Sequence, residues 1–277
     1  MSVTTIGRAS AVARPRARTT WRLVSAEFLK IRKRRGLVAL AVLLTVGAVV
    51  MAGAVLAVLH AADPAKYGPA GGLGNLGNAT YLLSTLGTVT AVLVGATMGA
   101  GDLQAGVFRD LVATGRSRLA LFAARIPGGL ALQWPLVTVS WIVAAAGSVL
   151  LAGSHPHPGL VVMVQGGAWV LLATTVVYLI ALGLASLAGS RSATVGIVLA
   201  WQLAVTPLAL GAAKLGVLRE GLLTAALDRV IPAGLLTGAR PDPVSPTMSI
   251  AVAAVVIAAW AIIPLAAGAW RTKTRDA

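Results

Sequence analysis

The sequence has 277 residues, of which 57% are hydrophobic and 11% charged, with a mean hydropathy of +0.86. An ordinary soluble domain is about 25% charged, so a water-soluble fold is excluded and an all-α, polytopic membrane protein is expected. The net charge of +15 raises nucleic acid as a partner. The placement of the charge argues against it. Ten of the 23 Lys and Arg lie in residues 1–35 and the others gather at the ends of apolar runs, a pattern of membrane topology and contact with anionic lipid headgroups. Without cysteine there is no disulfide, thiolate nucleophile or cysteine metal site.

In chain order, residues 1–20, rich in Arg, Ala and Thr, read as a disordered cytoplasmic tail. Residues 21–36, WRLVSAEFLKIRKRRG, follow. Trp21, Val24, Phe28 and Ile31 recur at helical spacing, with Arg22, Glu27 and Lys30 on the other side and Arg32, Lys33, Arg34 and Arg35 closing the segment. This predicts a basic amphipathic helix lying in the cytoplasmic interface, with Lys30, Arg32, Lys33, Arg34 and Arg35 at the membrane surface. The apolar run 37–59 is too long for a signal-peptide core of about 7–15 residues, so it is expected to be an uncleaved first span.

Spans need about 20 apolar residues. Six segments qualify: 37–59, 81–100, 127–152, 160–188, 193–213 and 249–269, none containing Asp, Glu, Lys or Arg. With the N-terminus inside, the cytoplasmic side holds the N-terminal segment, loop 101–126, Arg191 and the tail RTKTR. The outer side holds Lys66, Lys214, Arg219, Arg229 and Arg240. That places 18 cations inside and 5 outside, so both termini are expected in the cytoplasm. SHPHPG (154–159) reads as a tight outer turn and GPAGGLGNLGN (68–78) as a glycine-rich outer connector.

The loop after the second span, GDLQAGVFRDLVATGRSRLALFAAR (101–125), is longer than a turn requires. Asp102 is a plausible N-cap. Leu103, Val107 and Leu111 share a helical face, with Arg109 and Asp110 pointing away. Thr114-Gly115 would end this helix, and Ser117 would cap the next. A short helix across the cytoplasmic ends of two spans, with an apolar face left to the cytosol, favours a partner.

The string Asp102-x3-Gly106-x2-Arg109-x-Leu111-Val112-x-Thr114-Gly115-Arg116-Ser117-Arg118 resembles the segment after the second span of ABC type-2 transporter permeases. Their pattern is roughly Glu-x3-Gly-Thr-x-Arg-x-Leu-Leu, then a Pro-x-Ser-Arg turn. Gly106, Arg109, Leu111, Ser117 and Arg118 fit the spacing. Asp102 replaces Glu, Val107 replaces Thr, and Gly115 stands where the family often has Pro. The likeness extends to the basic amphipathic helix, six spans, inside termini and a large outer loop before the last span. It implies that the loop helix is a coupling helix, docking through Gly106, Val107, Phe108, Arg109, Leu111 and Val112 into a separate ATPase subunit, with Arg116 and Arg118 at the membrane surface. It also implies an ABC exporter of the plasma membrane, with a second copy or a homologous permease completing the pathway. This chain would hold no cofactor, ATP being bound by the partner. Leu111→Asp is then expected to abolish transport without preventing insertion.

In outer loop 214–248, Leu218, Leu222, Leu223, Ala226, Leu227 and Val230 form an apolar stripe before Pro232 and PDPVSP. This reads as an interfacial or partly re-entrant helix, which the resemblance would place at the outer end of the substrate path. There is no P-loop: GxxxxGK[ST] is missing and the glycine-rich 68–78 carries no Lys-Ser/Thr. His155 and His157 are too few for a closed metal site, and His60 reads as an interfacial residue at a span end. Gln133, Gln165, Gln202 and Tyr178 are the larger polar residues within spans, suited to bonding between helices. With no charge in the spans, the expected cargo is hydrophobic or amphipathic. Two other readings are a membrane-embedded enzyme using His155, Asp228 and Asp242, and a membrane partner of an ATPase that moves nothing.

Overall fold

The computed structural model describes residues 16–113, 115–235 and 248–275. The described part is all helical. α1 spans Arg16–Arg32, α2 Arg35–Ala62, α3 Leu73–Gln104, α4 Phe108–Ala113, α5 Arg118–Leu150, α6 Leu160–Ala188, α7 Arg191–Gly211, α8 Leu223–Arg229 and α9 Ile250–Thr274. α2, α3, α5, α6, α7 and α9 are each long and apolar enough to cross a membrane. Such a chain is a multi-pass membrane protein, and only helices satisfy their own backbone in hydrocarbon.

The six spans match the expected six, with shifted ends. α3 begins at Leu73, so half of the expected glycine connector is helix. α5 begins at Arg118 instead of 127, and α9 runs to Thr274. At about 1.5 Å per residue, the 33 residues of α5 reach well past a hydrocarbon core of about 30 Å. The expected apolar segments hold no charge, but the helices that contain them are longer, and Asp102 and Arg125 lie in the added turns of α3 and α5. α1 starts at Arg16, inside the expected tail. Residues 1–15 of that tail lie outside the described residues.

α3 and α6 form the centre. Gly95 and Gly99 of α3 let the two backbones meet: a Cβ at Gly95 would lie 2.6 Å from the Tyr178 carbonyl oxygen, and one at Gly99 2.5 Å from that of Leu182. Such small residues four apart replace the missing hydrophobic drive between helices in lipid with close backbone packing. A second seam seats α9, where Gly183 of α6 lies against the Pro264 backbone and Gly268 covers the Gly183 carbonyl. Buried hydroxyls in the spans donate to carbonyls one turn back, as Thr80 does to Leu76 and Thr174 to Val170.

The helix ends sort into two sets. One end of the bundle gathers α1, the end of α3, α4, the start of α5, the α6–α7 turn and the end of α9. Arg118 bonds the carbonyls of Lys273 and Arg275, and the Arg275 guanidinium approaches Gly189. This is the basic end. At the other end the α2–α3 and α5–α6 connectors interlock, with the N–H groups of Gly71, Gly72 and Leu73 donating to the carbonyls of Leu151, Ser148 and Pro156.

The buried face of α1 differs from the one its periodicity suggests. Trp21 is 72% exposed, while Glu27 and Ile31 are buried, and α1 packs on α5 with Glu27 against Gly128. The segment after α7 also differs. Leu218 is exposed on a tight stretch, Ala213–Gly221, whereas Leu223, Ala226 and Leu227 of α8 are buried. Three donors pin this region: Trp169 to Leu227 O, Trp260 to Gly221 O, and Arg229 to Met248 O. PDPVSP, Arg240 and Asp242 lie outside the described residues.

Candidate functional site: the loop helix and the ion network behind it

The connector between α3 and α5 is shorter than expected, because both helices extend into it. Asp102 is not an N-cap; it sits in the last turn of α3, three residues before the C-cap Ala105. Gly106 follows with φ +70°. Its N–H bonds Leu103 O, and the Val107 N–H bonds Asp102 O. This is a Schellman closure, which needs a residue with positive φ at the position Gly106 holds. The proposed docking residue Gly106 therefore has a prior local duty, reversing the chain so that α4 can leave the bundle.

α4 is six residues long. Phe108 is 5% exposed and Val107 41%; of the apolar face expected to be left to the cytosol Val107 is exposed and Leu103 and Leu111 are half-buried, while Phe108, expected to dock, is buried. Phe108 anchors α4 to the body, Leu111 and Val112 are half-buried, and Arg109 and Asp110 are exposed. Thr114, the expected helix end, lies outside the described residues. Gly115 has φ +78°, and Ser117 caps α5 as expected, its side chain accepting from Ala120 N at 3.1 Å. Arg116 is exposed. Arg118 is instead committed to the last carbonyls of α9, where a cation also meets the negative helix end.

Behind α4 lies a constellation of charges. Arg125, two turns into α5, has a side chain 1% exposed, and its Nη2 lies 3.1 Å from Asp102 Oδ2. Its Nη1 donates to Gly99 O at 3.1 Å, a carbonyl that also accepts from Ser186 Oγ at 3.2 Å. Asp102, 12% exposed, receives Lys30 Nζ at 3.1 Å from each oxygen. Lys30 in turn holds Glu27 at 2.6 Å. The Tyr178 hydroxyl donates to Arg125 O at 2.6 Å.

Two acids and two bases thus alternate across α1, α3 and α5, with α6 joined by Tyr178 and Ser186. A buried charge is tolerated only when paired and hydrogen-bonded, and each of these four is paired. Burial pushes the Glu27 carboxyl above its ordinary range, against the opposing pull of the Lys30 ammonium. The arrangement offers a linkage, not a reactive group. α4 leaves the bundle between the ends of α3 and α5, and those ends are bolted to each other and to α1.

Sequence reasoning placed Lys30 at the surface and read no role for Arg125 or Glu27. The available signal was the Ser117 cap. A helix started there puts Leu121, Arg125, Gly128 and Leu132 on one face, and all four are buried. Arg32, Lys33, Arg34 and Arg35 are exposed as expected.

The other polar candidates serve the fold. Gln133 is fully buried and donates to Thr174 O; Gln202 reaches Thr224; Gln165 is exposed. His60 bonds Tyr67 O, and His155 bonds Gly71 O while packing on Gly72. Among the described residues no three His, Cys, Asp or Glu side chains gather as a metal site. Compared with known proteins, the chain matches no protein-family profile, and no curated protein matches it.

Proposed function

We propose that this chain is the membrane-spanning permease subunit of an ATP-driven ABC exporter. α4 is the coupling helix, and both termini lie with it on the cytoplasmic side. The observation that carries this reading is the mounting of α4. It projects from the basic end with Val107 and Arg109 exposed, while Asp102 and Arg125, near its two roots, are locked in one buried ion network. A surface element that only connected two spans would need no such fixture. One that receives a push does, because the displacement then passes to α3 and α5 together and, through Lys30, to α1.

The positive-inside distribution supports the orientation, and the resemblance of residues 102–118 to type-2 permeases supports the partner and the direction of transport. The Asp, Glu, Lys and Arg of the six long helices lie toward the helix ends, so the cargo is hydrophobic or amphipathic. A second copy or a homologous permease completes the path.

The test is affinity capture of the tagged chain from its own membranes, with ATPase activity and co-purifying subunits as readouts. An ATPase subunit should accompany the chain and be lost with Arg109→Glu or Val107→Asp. Both positions are exposed, so the chain should still insert. A chain that comes down alone, without ATPase activity, would overturn the proposal.

A further inference from the structure

Two spans depart from α-helical geometry in the same way. α2 widens into a π turn over Leu43–Gly47 and α7 over Trp201–Val205. Both helices start at the basic end, at Arg35 and Arg191. The first wide turn begins eight residues in and the second ten, which at 1.5 Å per residue is about 12 and 15 Å. They therefore lie at about the same level of the membrane.

Each wide turn has a local cause. In α7, Pro207 has no N–H to return to Leu203, and the Thr206 hydroxyl donates to Trp201 O at 2.9 Å, five residues back. In α2, the Thr45 hydroxyl donates to Ala41 O at 2.7 Å, competing with its own N–H, and Gly47 closes the turn. Wide turns of this kind are recurrent sites of helix bending.

The packing of both helices changes at these turns. On α2 the buried positions are Leu37, Ala41, Thr45 and Val49, a strict four-residue stripe that ends two residues past the wide turn; none of residues 50–62 is buried. On α7 they are Thr194, Val198 and Thr206, and none of residues 207–211 is buried. At the second turn itself, the Trp201 and Trp260 rings lie 6.0 Å apart, tilted by 39°, and Gln202 bonds Thr224. Beyond the turns, the hydrogen bonds are to the chain that follows: His60 with Tyr67 O, and Arg219 with Leu210 O. Past its wide turn α2 still touches α3 and α5 but buries only Val49, and α7 buries only Thr206, with Leu210 packed on the edge of the core.

We infer that the π turns at Leu43–Gly47 and Trp201–Val205 are a matched pair of hinges, about which the outer halves of α2 and α7 swing against the fixed α3–α6 core. Both helices flank α3. A segment with few buried residues beyond a wide turn has low local stability, and here two such segments share one level. This device does not depend on what the chain carries or on its ATPase partner.

The test uses the full chain in lipid bilayers. Cysteine is absent from the sequence, so paired spin labels go in without background. One pair, Val58→Cys with Leu208→Cys, reports the outer halves; the other, Leu40→Cys with Ile197→Cys, reports the inner halves. All four positions are exposed. Labelled chain is diluted into unlabelled chain so that only intramolecular distances are read. The outer pair should give a distance distribution at least twice as wide as the inner pair. Deleting Leu44 and Leu203, which removes one residue from each wide turn, together with Pro207→Ala, which restores the missing N–H, should narrow the outer distribution to the inner width. Equal widths in the wild type overturn the inference, as does an outer distribution that stays wide once the turns are gone. Should the altered chain fail to insert, the wild-type comparison decides.

Discussion

Removing the Arg125 side chain tests whether the buried network is one unit. Arg125→Met keeps most of the apolar stem and deletes the charge. Gly99 O retains the Ser186 hydroxyl as donor, so little is lost there. Asp102 retains Lys30 but loses a charge-assisted bond from a side chain that is 1% exposed. One such bond, with the partner left partly compensated, amounts to about 2–3 kcal/mol. Asp102→Asn, which strips the acceptor charge from both Arg125 and Lys30, should cost a similar amount. If the two side chains act together, the double variant is less destabilised than additivity requires, by about 1–2 kcal/mol. Reversible unfolding of the purified chain in mixed micelles, monitored by tryptophan fluorescence, gives all four corners of the cycle. A coupling energy below about 0.5 kcal/mol, within the range of independent sites, would refute the linkage.

Three further expectations follow from single positions. Gly99→Ala puts a Cβ 2.5 Å from the Leu182 carbonyl oxygen and 2.7 Å from Ala185 Cβ; overpacking of this kind costs about 1–3 kcal/mol, and the same unfolding assay should show it near the upper figure because one neighbour is backbone. Gly106→Ala meets nothing within 4 Å, so only its positive φ opposes it, at about 1–2 kcal/mol; the unfolding midpoint should fall by less than for Gly99→Ala, and ATPase capture should weaken if α4 loses its exit angle. Glu27 has its folded pKa raised, by burial first. The folded state therefore holds that proton more tightly than the unfolded state, and stability falls as pH rises just above the ordinary glutamate range. Glu27→Gln should flatten this slope in a pH series of unfolding midpoints; an unchanged slope would assign the titration to another group.

Where hydropathy and caps spoke, the sequence was readable. The six spans, the Ser117 cap and the exposed run Arg32–Arg35 were all open to inspection. Helix ends were less so, because apolar content marks hydrocarbon depth and not helix length. α3 and α5 continue past the oil on polar residues, and Asp102 was misplaced for that reason. Its role depends on Arg125 and Lys30, 23 and 72 residues away, and no local period carries such a pairing. The same reason hid the inward face of α1, where the polar Glu27 outranks the aromatic Trp21. Val107 and Phe108, at the start of α4, are adjacent and both apolar, and local periodicity does not tell that Phe108 is the buried one.

The interlocked connectors at the end opposite α4 have a consequence in time. The N–H groups of Gly71, Gly72 and Leu73 are satisfied by carbonyls of residues 148–156, which leave the ribosome about 80 residues later. At about 5–20 residues per second, the α2–α3 hairpin waits for roughly 4–16 s with three donors turned to water. Biogenesis of this protein therefore passes through a two-span stage whose far end is unfinished.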